Sequence, residues 1–126
     1  MKRDDDLIRT LLLNIEARHH GESLWGTDVS PIGANEATVG EHLRLLIDAG
    51  FIRGLSHSGI DTLHLVPGNF QIDGLKWEGH EFLNTIRSDE VWNKTKNKIK
   101  SIGGSVSTTI MAQVAAAISK SMLGLT

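Results

Sequence analysis

The sequence predicts an α+β fold, and three observations carry this prediction. Residues 35–50, NEATVGEHLRLLIDAG, combine a capping residue, apolar positions at helical spacing and a terminal glycine. Two β-rich runs follow directly, with a glycine-containing turn between them. A second helical pattern begins within LKWEGHEFL at 75–83 and closes the same unit. Helices with a β-hairpin on one side are therefore expected to share one core.

The composition indicates a globular chain and excludes several functional classes. Of 126 residues, 40% are hydrophobic and 22% are charged, and there is no cysteine. Disulfides and thiol catalysis are thereby excluded, and a reducing cytoplasm is the expected compartment. No apolar run approaches the roughly 18–20 residues that a membrane span needs. The acidic N-terminus is unlike a signal peptide, so we expect a cytoplasmic protein without a membrane partner.

Charge is distributed unevenly along the chain. Residues 1–88 hold eight Lys and Arg against thirteen Asp and Glu, whereas residues 89–126 hold five Lys against two acidic residues. The resulting net charges of −5 and +3 argue against a polycationic nucleic-acid binder. They also favour two domains, a body over 1–88 and a helical extension over 89–126.

The first predicted element is a helix over residues 4–18. Its apolar stripe has helical spacing and comprises Leu7, Ile8, Leu11, Leu12 and Ile15. The three preceding aspartates fall in the first turn, where carboxylates favour the exposed N–H groups, so we interpret them as capping residues and not as metal ligands. Gly21 is expected to terminate the helix.

Residues 22–34 are predicted to be a loop, because Gly26, Pro31 and Gly33 interrupt any regular pattern. Residues 23–25 are expected to form a short edge strand, with Trp25 anchoring the core. A helix-turn-helix arrangement places a helix before Asn35, and this stretch leaves room for a turn in its place.

The helix over 35–50 has two chemically different faces. Its inward stripe is predicted to comprise Val39, Leu43, Leu46 and Ile47. Its opposite face presents Arg44 between Glu41 and Asp48. Gly50 is the expected cap at its end.

The segments after this helix are predicted to be strands and one further helix. Residues 51–57 and 62–66 form the expected hairpin, with its turn at 58–61. A short strand over 75–77 then precedes a helix over 78–87. Four of its apolar residues are predicted to be core: Trp77, Phe82, Leu83 and Ile86.

The C-terminal extension is predicted to be two helices separated by Gly103 and Gly104. The first begins at Ser88 or Asp89, runs to about 102, and has an apolar face of Val91, Trp92, Thr95, Ile99 and Ile102. The second covers about 105–123, is apolar or small over a broad arc, and carries Lys120 as its single charge.

This order of elements is that of a winged helix-turn-helix domain, and three segments resemble a known family. The segments MKRDDDLIRTLLLNIE, VGEHLRLLIDAGFI and LKWEGHEFLNTIRSDEVWNKTKNKIKSIGGS resemble domain-of-unknown-function family 2513, small bacterial and prophage proteins. The most specific parts are LKWEGHEFL and the D-x-V-W-x-K-T-K pattern at 89–96. The resemblance implies a winged-helix-like scaffold in a prokaryotic or phage setting. It implies no activity and no catalytic residues.

Double-stranded DNA is the first expected partner, because a helix-turn-helix protein places its recognition helix in the major groove. The expected nucleic-acid-binding residues are Arg44, Arg53, His57, Lys94 and Lys98. The charges on the body weaken this hypothesis, because good binders make on the order of 6–10 phosphate contacts. Acidic residues flank Arg44, and the wing turn has no cation. A regulator acting through DNA is nevertheless the first interpretation.

Protein binding is the alternative, because a fold does not determine a function. The last helix supports it, since a surface helix needs one apolar stripe and this helix has more. We expect a homo-oligomer whose interface comprises Ile110, Val114, Ala117, Ile118 and Met122. On this hypothesis the chain is an adaptor or inhibitor that does not bind nucleic acid.

No enzyme chemistry is indicated by the residue patterns. The six histidines show no ligand spacing on one helix face, although His57 and His64 would face each other across the hairpin. There is no nucleophile-elbow pattern and no glycine-rich phosphate loop. We therefore expect no metal, no cofactor and no catalytic residues.

Overall fold

The computed structural model describes residues 1–57 and 65–125. Within these ranges the fold is α+β, as predicted, with six α-helices and a three-stranded antiparallel sheet. The chain divides into two compact units, Met1–His80 (unit 1) and Glu81–Thr126 (unit 2). The predicted hairpin turn at 58–61 and residues 62–64 of the predicted strand lie outside the described residues.

The elements follow one another in a simple order. Unit 1 contains α1 (Asp5–Arg18), β1 (Leu24–Trp25), α2 (Gly26–Val29), α3 (Glu36–Asp48), β2 (Ile52–Ser56), a 3-10 turn (Pro67–Asn69) and β3 (Phe70–Leu75). Helix α4 (Trp77–Ile86) begins in unit 1 and ends in unit 2, which also contains α5 (Asp89–Ser101) and α6 (Thr108–Met122). Strand β3 lies between β1 and β2.

Helix α1 forms as the sequence predicts, with its cap one residue before its first turn. The side chain of Asp4 accepts a hydrogen bond from the backbone N–H of Leu7 at 3.1 Å. This bond satisfies one of the N–H groups that a helix start leaves without a partner. The buried residues of α1 are Ile8, Leu11, Leu12 and Ile15.

Helix α3 also agrees with its prediction and adds an unexpected buried residue. Asn35 caps the helix by accepting from the N–H of Thr38 at 3.0 Å. The core residues Val39, Leu43 and Leu46 are buried, and Ile47 is half-buried. His42 is fully buried next to this stripe.

The ring of His42 joins the first turn of α3 to the start of α1. Its Nε2 accepts a hydrogen bond from the backbone N–H of Asp4 at 2.8 Å, and its Nδ1 lies 2.7 Å from the carbonyl oxygen of Thr38. Because Nε2 is the acceptor, Nδ1 carries the proton and donates it to Thr38. Both ring nitrogens are therefore satisfied inside the core.

Two helical glycines allow backbone segments of unit 1 to approach closely. A Cβ at Gly40 in α3 would overlap the carbonyl oxygen of Leu65, and a Cβ at Gly79 in α4 would overlap that of Phe51. Glycine inside a helix destabilises it by roughly 0.5–1 kcal/mol relative to alanine. The close packing at these positions explains why glycine is present there.

The sheet corrects the predicted hairpin. Leu65 and Val66, the described end of the predicted strand 62–66, are not in a strand, and β2 pairs with β3 instead. The predicted strand 75–77 is also wrong, since Leu75 ends β3 and Trp77 begins α4. Strand β3 alternates between buried and half-buried residues, as a strand with one inward face must.

Three apolar residues that the sequence predicts to be buried are exposed. Trp25 is 46% exposed, Trp77 72% and Ile102 61%. Trp25 lies on an edge strand, Trp77 in the first turn of α4, and Ile102 beyond the end of α5. Each therefore occupies a terminal or edge position, where only one side of a residue is covered.

Unit 2 is built on two capped helices. Ser88 accepts from the N–H of Val91 at 3.3 Å to cap α5, and Ser107 accepts from that of Ile110 at 3.2 Å to cap α6. The buried residues of α5 are Val91, Trp92, Thr95 and Ile99. Helix α6 packs on α5 with Met111 and Ala115 fully buried. None of the helices within the described ranges is both long and apolar enough to cross a membrane.

The core position of Leu43 generates a stability prediction. Leu43→Ala should lower the free energy of unfolding by about 2–5 kcal/mol, because it leaves a cavity in a packed core. The matched control is Leu55→Ala, since Leu55 is 60% exposed and should change stability far less. Urea unfolding followed by circular dichroism measures both variants. Equal losses in the two variants would contradict the described packing.

Candidate functional site

The outward face of α3 carries one of the predicted DNA contacts, Arg44. A nitrogen of its guanidinium lies 2.5 Å from a carboxylate oxygen of Glu41, one turn earlier on the same helix. This hydrogen bond, reinforced by the charge of Glu41 and then of Asp48, raises the pKa of Arg44. Arg44 is thus charged and exposed, but its charge is already matched by acidic neighbours on its own helix.

The other two predicted contacts in unit 1, Arg53 and His57, lie on β2 and directly after it. Both are exposed. The ring Nε2 of His57 lies 3.0 Å from the amide oxygen of Gln71 on β3. Arg53 acts electrostatically on the carboxylate of Asp73, two residues along β3 from Gln71. The structure therefore associates both residues with side chains on the outside of the sheet.

These side chains define the outer sheet face, formed by Ser23, Trp25, Leu55, Gln71 and Asp73. Cross-strand pairing places its middle row, because Trp25 and Leu55 are both register partners of Gln71. Partners in an antiparallel pair point to the same side of the sheet. Because Phe70 and Ile72 are fully buried, the residues between them along β3 point outward.

A hydrogen-bond network runs across this face. The hydroxyl of Ser23 donates to Oδ1 of Asp73 at 2.5 Å, and the amide nitrogen of Gln71 lies 3.2 Å from the same hydroxyl. The hydrogen bond from Ser23 is the largest cause of a lowered pKa at Asp73, followed by that from Gln71. Asp73 is consequently held as a carboxylate at neutral pH.

Trp25 adds an aromatic surface beside this network. Its ring centroid lies 5.7 Å from that of His57, and the two ring planes are tilted by 58°. Sequence reasoning assigned Trp25 to the core and did not include Ser23, Gln71 or Asp73 in a site. The alternation in FQIDGL at 70–75 was the available signal, because it places Gln71 and Asp73 on one side of a strand.

The predicted contacts in unit 2 lie on α5. Lys94 and Lys98 are both exposed and stand one helical turn apart. The ammonium of Lys94 lies 3.4 Å from a carboxylate oxygen of Glu90. The ammonium of Lys96 lies 5.7 Å from the ring centroid of Trp92, close enough for a cation–π contact.

The predicted oligomer interface on α6 is accessible within the chain. Ile110 and Met122 are 42% and 43% exposed, Ala117 is exposed, and Val114 and Ile118 are half-buried. Only Met111 and Ala115 of this helix are fully buried among its described residues. A side of α6 that is mostly apolar therefore remains in contact with solvent.

A cleft of about 210 Å³ near the end of α1 gathers several titratable side chains. Its lining residues are Ile15, Glu16, His19, Asp73, Gly74, Leu75 and His80. Nowhere in residues 1–57 and 65–125 do three or more His, Cys, Asp or Glu come together in a way that could hold a metal ion. The predicted pairing of His57 with His64 lies outside the described residues, because His64 does.

Comparisons with known proteins bear on the whole chain. A family model described as "Hypothetical protein (DUF2513)" matches residues 2–105, which confirms the resemblance identified in the sequence. A curated protein from Haemophilus influenzae, described as an uncharacterized protein, is 37% identical over 123 residues and covers 98% of this chain and 99% of its own length. The comparison with solved structures gives no significant match.

The network around Asp73 generates a prediction about its titration. Ser23→Ala should raise the pKa of Asp73, because it removes the hydrogen bond that most favours the carboxylate. A folded-state pKa below the unfolded value stabilises the fold above the unfolded value, and this contribution is lost as pH falls through the folded-state pKa. The variant should therefore lose some stability at neutral pH and none in strong acid.

NMR titration of the Asp73 carboxyl carbon measures this pKa directly. The control is Ser101→Ala, which removes a hydroxyl that donates to the carbonyl of Lys98 in unit 2. An unchanged Asp73 pKa in Ser23→Ala would show that the described network does not hold the carboxylate.

Proposed function

The chain belongs to the family described as Hypothetical protein (DUF2513), and on this basis we propose that it is a non-enzymatic protein-interaction module on a winged-helix scaffold. The observation that carries the proposal is that the exposed cations of unit 1 predicted to contact DNA have acidic or amide neighbours, whereas its exposed aromatic and apolar side chains do not repel a protein partner. The absence of cysteine fits a cytoplasmic setting.

The order and pairing of elements support the winged-helix assignment. The chain runs α1, β1, α2, α3, β2 and β3, with β3 between the other two strands. The four-residue α2 occupies the place of the helix before the recognition helix, which the sequence predicted as a turn. Helix α3 occupies the recognition position, and the chain between β2 and β3 occupies that of the wing.

Charge favours protein over DNA at the recognition position. Three acidic residues, Glu36, Glu41 and Asp48, lie on α3 or at its ends, against the single cation Arg44. Phosphate neutralisation provides most of the affinity for DNA, so an acidic recognition helix opposes binding. A protein interface places no such requirement on this face.

Self-association through α6 is part of the proposal. Burying one of its exposed aliphatic side chains would contribute roughly 1.5–3 kcal/mol. The segment 101–119 contains no charged residue, so two copies of this surface would meet without repulsion. An isologous dimer uses the same surface on both copies and therefore needs only this self-compatibility.

Co-purification from cells of the native host tests the proposal. A tagged full-length chain is captured with and without nuclease treatment, and both proteins and nucleic acids in the eluate are identified. The proposal predicts a specific protein partner that remains after nuclease treatment. Recovery of a defined DNA sequence and no protein that survives nuclease would overturn it.

The proposed dimer generates its own prediction. Ile110→Glu combined with Ala117→Glu should convert a dimer into a monomer, because each copy would bring two charges into the shared apolar surface. Light scattering at micromolar concentration measures the mass, and circular dichroism checks that α6 is retained. Asn97→Glu, at an exposed position of α5, is the matched control and should remain dimeric. A monomeric wild-type chain would contradict the proposed interface.

DNA binding is the second candidate, and the exposed pair Lys94 and Lys98 on α5 favours it. If these lysines contact phosphates, changing both to Gln should reduce the slope of log affinity against log salt by up to two contacts, at roughly 0.9 per contact. Fluorescence anisotropy with genomic fragments across salt concentrations measures this slope. Binding that is undetectable at low salt would eliminate this candidate.

A further inference from the structure

We propose that the outer sheet face binds an arginine side chain of a protein partner, with the guanidinium stacked on Trp25 and its fork directed at the carboxylate of Asp73. This inference rests on the proposed protein-interaction function and names a site and a chemistry for it. The occupant is a guanidinium presented on a polypeptide segment.

The strand register sets the spacing between the two side chains. Trp25 is the register partner of Gln71, and Asp73 follows two residues later on the same face. Diagonal neighbours of this kind have their Cβ atoms about 7–8 Å apart. A guanidinium stacks within about 6 Å of an indole centroid. A single guanidinium therefore fits with one face on Trp25 and its edge toward Asp73.

The carboxylate of Asp73 is prepared for such a ligand. Ser23 donates to Oδ1, while the contacts of Gln71 to Oδ1 and Oδ2 are both long at 3.4 Å. An ionised carboxylate accepts about four hydrogen bonds, so Oδ2 retains acceptor capacity. The bond from Ser23 also fixes the carboxylate plane, which reduces the ordering cost of binding.

Exposure and charge favour a cationic partner. Trp25 is 46% exposed and Leu55, on the other side of Gln71, is 60% exposed, so the row offers apolar area on both flanks. Residues 1–80 contain seven Lys and Arg against twelve Asp and Glu, a net charge of −5. Tryptophan and arginine are enriched among the residues that dominate protein interfaces.

The same charges argue against other ligands at this face. A phosphodiester backbone would be repelled by Asp73 and by the net charge of unit 1. Lysine fits less well than arginine, because its ammonium is a compact point charge that neither stacks nor forks. Arginine is therefore the side chain that satisfies both Trp25 and Asp73.

Three short peptides test the site on the full-length chain by NMR. The probes are acetyl-Gly-Arg-Gly-amide, the same peptide with lysine, and the same peptide with citrulline, which keeps the shape and loses the charge. The arginine peptide should cause saturable shifts of the Trp25 indole N–H and the Gln71 side-chain amide. The lysine peptide should bind about two- to fivefold more weakly, and citrulline should not bind measurably.

Three variants decide between this site and unspecific attraction. Asp73→Asn should weaken binding of the arginine peptide by about fivefold, the upper range for an exposed charge pair. Trp25→Ala should abolish the difference between arginine and lysine, whereas Trp77→Ala, an equally exposed indole outside this face, should change neither. Arg53→Gln should strengthen binding, because it removes a cation that acts on Asp73.

The outcomes separate the site from the function. Equal shifts at Trp77 and Trp25, no saturable shift, or unchanged binding in Asp73→Asn would each overturn the arginine site. If the host partner survives nuclease but is still captured by Trp25→Ala, the interaction function stands and this site is wrong. If the peptides bind as expected but the host yields only DNA, the site stands and the proposed function is wrong.

Discussion

The burial of one face of α3 is the constraint on which the rest of unit 1 depends. Val39, Leu43 and Leu46 fill the core, and His42 bonds the same face to the start of α1. A face used so completely fixes the rotation of the helix about its axis, because any rotation would expose apolar side chains and break both bonds of His42. The outward face is thereby fixed as well, and it carries Glu41 and Arg44. The acidic character of the recognition position is thus a consequence of core packing.

The sheet is subject to the same logic with a different result. Phe70 and Ile72 must point into the core, so the intervening Gln71 and the following Asp73 must point out. Strand pairing then adds Trp25 from one edge and Leu55 from the other. Two outward surfaces of one small domain consequently differ in chemistry: one offers alternating charges, and the other offers aromatic and apolar area around a fixed carboxylate. The second has the composition that protein interfaces favour.

Much of the fold follows from local sequence, and most of the candidate site does not. The capped helices were predictable because Asp4, Asn35 and Ser88 precede clear apolar periods. Strand β3 was missed because its alternation spans only six residues and includes Gly74, whereas residues 62–66 have a stronger strand composition. The network joins Ser23 to Asp73 across 50 residues of chain. Only the strand register brings them together, and no short-range pattern encodes it.

The central claim is that this chain acts through protein contacts at the outer sheet face, and oxidative footprinting in extract of the native host tests it most directly. Oxidation rates of Trp25 and Trp77 are measured in the purified chain, in extract, and in nuclease-treated extract. The account predicts that Trp25 is protected in extract, that this protection survives nuclease, and that Trp77 is unaffected. Equal rates at Trp25 in all three conditions, or protection that disappears with nuclease, would contradict it.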